Sequence, residues 1–409
     1  MTATDPRRTL ETVWRMESAR IVAALARLVR DVGLAEELAQ DTLVIALEQW
    51  PIGGVPDHPG SWLMATAKHR AVDALRRQGR YREKLQLLGN QTPDAEEPDI
   101  AAAMDDYVGD DLLRLVFATC HPVLSTESRV ALTLRLLGGL TTEEIARAYL
   151  VSESTVGQRI TRAKRTLADN RVPIELPPPT EVAQRLASVL EVIYLIFNEG
   201  YAATAGDDWM RPTLCEEALR LGRILATLAP DEPEVHGLVA LMELQASRTA
   251  ARTAPDGTPI LLQDQDRRRW DRLLIRRGLA ALAGTEGSYG PYVLQASIAA
   301  CHARAAHADD TDWRRIAALY EVLNHVSPSP VVDLNRAVAV GHAHGPARGL
   351  EIVDSLNLPG YPLLPAVRGD LLAKLGRAAE ARKEFERAAA MTRNARERVL
   401  FEARAAALR

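Results

Sequence analysis

Apolar residues recur at helical spacing along almost the whole chain. Between residues 8 and 82 they form three stripes, Ile21/Leu25/Leu28/Val29, Leu38/Leu43/Ala46/Leu47 and Leu63/Ala67/Ala71/Val72/Leu75. Spacings of three and four residues place each stripe on one face of a helix, whereas strand-like alternation is almost absent. A stretch rich in Pro and Gly, from Pro51 to Gly60, separates the second stripe from the third. The pattern predicts an all-α protein that begins with three or four helices.

The segment 141–168 predicts two short helices around a tight turn. Thr141 can cap the first helix while the Glu144 side chain reaches back to it, and Ser152 can cap the second. Within the second helix an apolar face repeats at Val156, Ile160, Ala163 and Leu167, which leaves Ser154, Gln158, Arg159, Arg162 and Arg165 outside. This pattern indicates a helix-turn-helix, although a solvated charged face on an ordinary bundle helix has the same spacing.

After the prolines at 173 and 177–179 the chain changes character. From residue 180 to 409, helical segments follow one another with short Pro or Gly breaks. Small residues mark a faint repeat of about 31 residues: Ala306, Ala337 and Gly369, each followed after twelve residues by Ala318, Gly349 or Ala381. Because small residues let paired helices approach closely, we expect a tetratricopeptide (TPR)-like helical array. Such arrays present a concave surface to a peptide, a protein or another face of the same chain.

Composition places the chain among globular proteins. It has 409 residues, of which 47% are apolar and 25% charged, and this length suggests two or three domains. Three scattered cysteines are too few for a disulfide framework and favour a reducing cytoplasm. No apolar run approaches the roughly 20 residues that span a bilayer, and the first residues lack the apolar core of a signal peptide. We therefore expect a cytoplasmic protein with no membrane partner.

The net charge of −4 hides strong local fields. Residues 61–84 hold seven Lys or Arg against two acids, residues 85–113 hold eight acids and no bases, and residues 114–171 hold nine bases against five acids. Attraction to phosphate depends on such local fields more than on the total charge. The order predicts two basic helical modules, at 8–84 and 111–171, joined by an acidic flexible linker at 85–110 and followed by the helical array at 180–409.

Both basic modules resemble parts of bacterial RNA polymerase sigma factors. Region 4 of that family matches at Glu143-Glu144-Ile145-Ala146, Val151-Ser152, Thr155-Val156, Arg159 and Arg162-Ala163. The region 2 helix that docks on polymerase is similar to residues 35–42, and the region that reads and opens the promoter −10 element is similar to residues 62–77. With only regions 2 and 4 visible, the chain resembles the extracytoplasmic-function (ECF) type, in the group with a large TPR-like C-terminal extension.

The resemblance assigns roles to three sets of residues. Contacts to the −35 promoter element fall on Ser154, Thr155, Gln158, Arg159, Arg162, Lys164 and Arg165. Contacts to the −10 element fall on Trp62, Lys68, His69, Arg70, Arg76, Arg77 and Arg80. Core polymerase binding falls on Glu36, Leu38, Asp41 and Thr42. Trp62 is equally consistent with a buried anchor of its own helix, whereas His69 is more typical of a polar surface residue than of a base reader.

Several other sites are conceivable from the residues. Cys120-His121 and Cys301-His302 lack the short local spacing of metal ligands, and no phosphate-binding loop or hydrolase motif is present. The sequence therefore predicts neither an enzyme nor a cofactor or metal site. Asn198-Glu199-Gly200-Tyr201 could line a small-molecule pocket, but we expect Gly200 to end its helix and Tyr201 to pack behind it.

These observations predict a sigma factor that binds core RNA polymerase and promoter DNA. Its C-terminal domain would serve for regulation or docking, through a regulatory protein or an intramolecular contact. One rival is a helix-turn-helix regulator that acts outside holoenzyme. A second rival is a TPR protein-interaction scaffold whose basic segments are incidental.

Overall fold

The computed structural model describes residues 6–87, 108–149, 151–203 and 209–408. Within these ranges the chain is helical and contains no strand, apart from an isolated bridge between Thr253 and Pro259. None of the described helices is both long and apolar enough to cross a bilayer. Most of the predicted acidic linker at 85–110 lies outside the described residues. The prediction of an all-α fold is confirmed.

The N-terminal module consists of three helices, α1 (Pro6–Val29), α2 (Val32–Gly53) and α3 (Pro59–Leu87). Asp31 starts α2 by accepting a hydrogen bond from the Leu34 N–H at 2.9 Å. Residues from all three predicted stripes meet in the core, where Leu25, Ala46 and Leu63 are fully buried. The sequence placed Pro51 in the stretch that separates the second stripe from the third, but Pro51 lies inside the last turn of α2. The helix can include it because a proline there removes a single helical hydrogen bond.

The helix-turn-helix module consists of α4 (Val108–Thr119), α5 (Thr126–Leu136), α6 (Thr142–Tyr149) and α7 (Glu153–Asp169). Its predicted caps are confirmed. The Glu144 N–H donates to Thr141 Oγ1 at 3.1 Å while Glu144 Oε2 accepts from the Thr141 N–H at 2.7 Å, and Ser152 Oγ accepts from the Thr155 N–H at 3.1 Å. The buried face of α7 is the predicted one, Val156, Ile160, Ala163 and Leu167.

Helix α8 (Pro179–Tyr201) begins on the helix-turn-helix module. Arg185 Nη2 donates to the Phe117 carbonyl at 3.0 Å, and Ser188 Oγ donates to the Cys120 carbonyl at 2.7 Å. These bonds satisfy backbone acceptors at the C-terminal end of α4 that the helix itself leaves open. The chain divides into two compact units, 1–192 and 193–409, so the division falls within α8.

The C-terminal unit, residues 193–409, continues with ten α-helices among its described residues. They are α9 (Pro212–Leu228), α10 (Pro233–Ala246), α11 (Arg272–Ala283), α12 (Pro291–Arg304), α13 (Trp313–Val326), α14 (Pro330–His344), α15 (Pro346–Asp354), α16 (Leu363–Lys374), α17 (Ala378–Met391) and α18 (Ala395–Ala406). Consecutive helices pair along the chain, and Leu334, Val353, Leu371 and Phe385 form one of the buried clusters. This arrangement is the expected helical array.

Two of the three predicted repeat units have the expected close helix packing. A Cβ at Gly349 would lie 2.6 Å from the Ala337 carbonyl oxygen, and one at Gly369 would lie 3.2 Å from the Ala381 carbonyl oxygen. The earliest unit was placed wrongly, because Ala306 follows the end of α12 and Ala318 is exposed on α13. Spacing alone does not fix the phase of a degenerate helical repeat.

The close approach at Gly349 yields a stability prediction. Gly349→Ala forces a methyl group against backbone and should lower the free energy of unfolding by about 1–3 kcal/mol. Gly284→Ala is the matched control, because its Cβ would meet the nearest atom at 3.5 Å, an ordinary contact. Chemical denaturation followed by circular dichroism measures both. Equal stabilities of the two variants would contradict the packing described for α14 and α15.

Candidate nucleic-acid interface

Helix α7 presents a polar face beside its buried stripe. Ser154, Gln158, Arg162 and Arg165 are exposed, and the other predicted −35 contacts, Thr155, Arg159 and Lys164, are half-buried. The start of the helix is rigid, since Ser152 Oγ lies 2.8 Å from the hydroxyls of both Ser154 and Thr155. The helix therefore carries side chains that can donate hydrogen bonds, and an α-helix is of a size that the major groove of DNA accepts.

Helix α3 carries the second predicted basic surface. Arg76, Arg77 and Arg80 are exposed, and the last two donate through Nε to backbone carbonyls one turn earlier, at 3.3 and 3.4 Å. His69 is exposed and Lys68 half-buried. These cations follow one another along a single helix, so they can track a phosphate backbone.

Two of the predicted −10 residues have protein partners. Trp62 is half-buried and packs edge-on against the buried Trp50, with ring centroids 5.7 Å apart. Arg70 Nη2 lies 2.6 Å from Asp41 Oδ2, which joins α3 to α2. Trp62 thus anchors its helix and keeps part of its ring accessible, so both interpretations of this residue remain compatible with its position.

The predicted polymerase-binding residues of α2 point mostly inward. Leu38 and Thr42 are buried in the three-helix core, and the Thr42 hydroxyl donates to the Leu38 carbonyl at 2.9 Å. Glu36 is 6% exposed, and Asp41 is the member of the set with a substantially accessible side chain, 44% exposed. In this conformation the four residues do not form one accessible surface, because the helix turns three of them toward other helices.

Glu36 joins the N-terminal module to the helix-turn-helix module. Arg135 Nε, at the end of α5, lies 2.7 Å from Glu36 Oε1, and Lys164 Nζ of α7 contacts Glu36 Oε2. Arg135 also donates to the Leu140 carbonyl at 3.2 Å, which fixes the loop before α6. A predicted polymerase contact and a predicted phosphate contact are therefore paired with each other.

The electrostatics of this contact favour the charged carboxylate. Burial alone would raise the pKa of Glu36, but the hydrogen bond and charge of Lys164, with those of Arg135, outweigh it and leave the pKa lowered. A second pair crosses the same boundary, since Arg27 Nε of α1 lies 2.8 Å from Asp111 of α4, whose side chain is 5% exposed. Buried opposite charges thus hold the two modules together.

Sequence patterns missed the outward face of α2. Val44 and Leu47 are 52% and 42% exposed, and Glu37, Asp41 and Glu48 lie on the same side of the helix at spacings of three and four residues. Leu47 was assigned to the apolar stripe of the core. The position of Val44 could have corrected this assignment. Val44 does not belong to the buried stripe, and together with Leu47 it marks a second apolar face of the helix.

A basic cleft of about 960 Å³ lies where α1 and α7 end. Arg27, Arg30, Arg114, Lys164 and Arg171 contribute to its walls, together with Asp31 and Glu175. Arg30 and Arg171 have positive φ angles, 55° and 47°, and each follows the C-terminal end of a helix. The cleft concentrates cations from both modules, which sequence patterns could not bring together.

Three family models match the chain in the same order as its modules. "Sigma-70 region 2" matches residues 14–81, "Sigma-70, region 4" matches residues 114–167, and a "Family of unknown function (DUF6596)" matches residues 185–286. No solved structure matches the chain.

Similar proteins come from several bacteria. An uncharacterized protein of Rhizobium meliloti is 45% identical over 383 residues, 92% of this chain and 90% of that protein. The ECF RNA polymerase sigma factor SigK of Mycobacterium bovis is 32% identical over 156 residues, 36% of this chain and 78% of that protein. A probable ECF RNA polymerase sigma factor, SigI of Mycobacterium tuberculosis, is 27% identical over 183 residues, 44% of this chain and 60% of that protein.

The Glu36 contact yields a pH-dependent stability prediction. Glu36→Gln should cost about 1–3 kcal/mol of unfolding free energy at neutral pH, because a buried charged acceptor is lost to both Arg135 and Lys164. A lowered pKa in the folded state means that the contribution is complete above the ordinary glutamate value of 4.5 and is lost as the pH falls through the lower folded value. Denaturation across this range measures it.

The neighbouring Glu37→Gln is the matched control, since Glu37 is exposed on the same helix. Its unfolding free energy should equal that of the unaltered protein within about 0.5 kcal/mol. A cost for Glu36→Gln that persists undiminished at low pH would contradict the ion pair.

Proposed function

The chain belongs to the ECF family of RNA polymerase sigma factors, and we infer that it binds core RNA polymerase and directs it to promoter DNA at transcription initiation. The observation that carries this function is the presence of both sigma modules, at 14–81 and 114–167, with α7 exposing a basic polar face at the expected place in the second. Members of this family are in general initiation factors rather than enzymes.

We propose that α7 enters the major groove at the −35 element. Ser154, Thr155, Gln158, Arg159 and Arg162 would lie closest to base edges or phosphates, and Lys164 and Arg165 would bind mostly phosphate. The support is the exposure of this face and the capping of the helix by Ser152, which leaves the first turn ordered. Gly157 contributes no side chain to this contact.

We further propose that α3 holds the opened −10 element. Opening a duplex without hydrolysing a cofactor requires that the unstacked strand be held better by the protein than by its complement. Arg76, Arg77 and Arg80 offer exposed cations for the strand, and the accessible part of Trp62 offers a stacking surface. Lys68 and His69 lie on the same helix between them.

For polymerase binding, we propose the outward face of α2 as the first contact. Val44 and Leu47 supply apolar area, and Glu37, Asp41 and Glu48 supply a negative rim, a combination typical of protein–protein interfaces. The inward residue Glu36 would become accessible only if the two modules separate, because Arg135 and Lys164 of the helix-turn-helix module cover it. On this proposal polymerase competes with Arg135 and Lys164 for Glu36.

We propose that the C-terminal helical unit regulates the factor or docks a partner, through a regulatory protein or an intramolecular contact. Two features of this unit support the proposal: a TPR-like array of helix pairs and a match to a family of unknown function at 185–286. The function of the sigma modules does not depend on this assignment.

Reversing charge on α7 tests DNA recognition. Arg159→Glu with Arg162→Glu should lower promoter-directed transcription about 100-fold or more, because each lost contact costs about 1–3 kcal/mol. Core polymerase binding should persist. The matched control is Lys383→Glu, an exposed cation of α17 in the C-terminal unit. Unchanged transcript levels from reconstituted holoenzyme would refute the proposed interface and favour a scaffold.

Placing charge on the outer face of α2 tests polymerase docking. Val44→Asp with Leu47→Asp should weaken binding to purified core polymerase at least about 10-fold, because a carboxylate at an apolar contact must be desolvated. Val399→Asp on α18, at a position that is 50% exposed, is the control. Unimpaired binding by the α2 variant would reject this face. Failure of the unaltered chain to bind core polymerase would favour a regulator outside holoenzyme.

A further inference from the structure

The C-terminal unit encloses a cavity of about 530 Å³. It lies between α8, α10, α12 and α13 and is closed at one side by Trp270 and the start of α14. Its wall combines polar side chains with aromatic and aliphatic ones, among them Tyr194, Tyr201 and Tyr320. Sites for small molecules typically measure roughly 300–1,000 Å³ and have aromatic and aliphatic walls with a few polar groups.

Residues at the end of α8 line this cavity, in contrast to the expectation from the sequence. Asn198 and Tyr201 both belong to its wall. Gly200 does not end the helix, which runs to Tyr201. The glycine is needed for a close approach, because a Cβ there would lie 2.6 Å from the Cys215 backbone nitrogen on α9. The glycine thus brings α8 against α9 while its neighbours face the cavity.

The wall of the cavity carries one formal charge, that of Arg248. Among the described residues that line the cavity, Arg248 is the single charged group, and none is an Asp, a Glu or a Lys. His302 also lines it, but burial and then the charges of Arg248 and Arg267 lower its pKa to about 3, so it is neutral at physiological pH. The cavity therefore has a net positive charge.

Arg248 has neutral partners. Its Nη2 donates to the Tyr201 hydroxyl and to Gln245 Oε1, and the guanidinium lies 5.7 and 5.8 Å from the ring centroids of Tyr201 and Trp270. Its Nε is buried with no acceptor among the described residues. No carboxylate of the described chain lies within ion-pair distance of Arg248.

Some other arginines of this unit are neutralised by carboxylates. Arg211 pairs with Glu199, and Arg223 and Arg277 both pair with Glu243. The buried Arg252 and Arg267 are not, and they donate to backbone carbonyls, Arg267 also to Thr311. A cation held away from water without a carboxylate carries a desolvation cost. Of Arg248, Arg252 and Arg267, which are in that position, Arg248 is the one that lines the cavity, which is large enough to admit a carboxylate.

We propose that this cavity binds a small organic acid, with its carboxylate on Arg248 and an apolar, preferably aromatic, body against Tyr194, Tyr201 and Trp270. A carboxylate fits the planar, forked geometry of a guanidinium and gains a charge-assisted hydrogen bond from it. Asn198 and Gln295 supply neutral hydrogen-bonding groups at the wall. The site is independent of the sigma modules, so its test does not involve transcription.

Calorimetric titration of the full chain tests the proposal. The probes are benzoate, 4-phenylbutyrate, indole-3-acetate and octanoate, each paired with its neutral primary amide. We expect at least one acid to bind roughly 10- to 100-fold more tightly than its amide, the range for one charge-assisted hydrogen bond. Arg248→Gln should abolish this preference, and Arg248→Lys should retain the preference with weaker binding.

A second variant separates the cavity from the charge. Ala299→Leu adds volume at a half-buried wall residue and should weaken the binding of acid and amide alike. The proposal is overturned if no acid binds more tightly than its amide, or if Arg248→Gln leaves the preference intact. Binding of a peptide with a free C-terminal carboxylate, but of no small acid, would also overturn it, because the cavity would then belong to a protein partner.

Discussion

The buried carboxylate of Glu36 is the interaction on which the arrangement of the N-terminal unit depends. It lies on α2, and its two partners come from α5 and α7, with Arg135 lying 99 residues further along the chain. A single residue of the N-terminal module therefore holds both α5 and α7 of the helix-turn-helix module. Arg27 and Asp111 hold the opposite side, so the two modules are joined by charge as well as by apolar packing.

This arrangement limits what each surface can do at once. Lys164 cannot neutralise Glu36 and a DNA phosphate at the same time, and Glu36 cannot meet polymerase while two cations cover it. By contrast, the outer face of α2 and residues such as Arg162 are accessible without rearrangement. A first encounter through these outer faces and a later exchange of the buried ion pairs is the order of events that fits the charges.

Much of the fold could be predicted because it depends on local rules. The caps at Thr141 and Ser152 and the buried stripe of α7 depend only on residues within a few turns, and they were predicted correctly. The orientation of α2 was not, because Glu36 is polar and yet buried, and its partners are distant in sequence. Likewise, no sequence signal distinguishes Arg248, which lines a cavity, from an arginine that is paired with a carboxylate.

The start of α8 has a consequence for how the chain is made. The carbonyls of Phe117 and Cys120, at the end of α4, receive their hydrogen bonds from Arg185 and Ser188, which lie 68 residues later. During synthesis from the N-terminus, α4 and α5 leave the ribosome well before these donors exist. The end of α4 can therefore acquire these two hydrogen bonds only after residues 185–188 have emerged, late in the synthesis of the N-terminal unit.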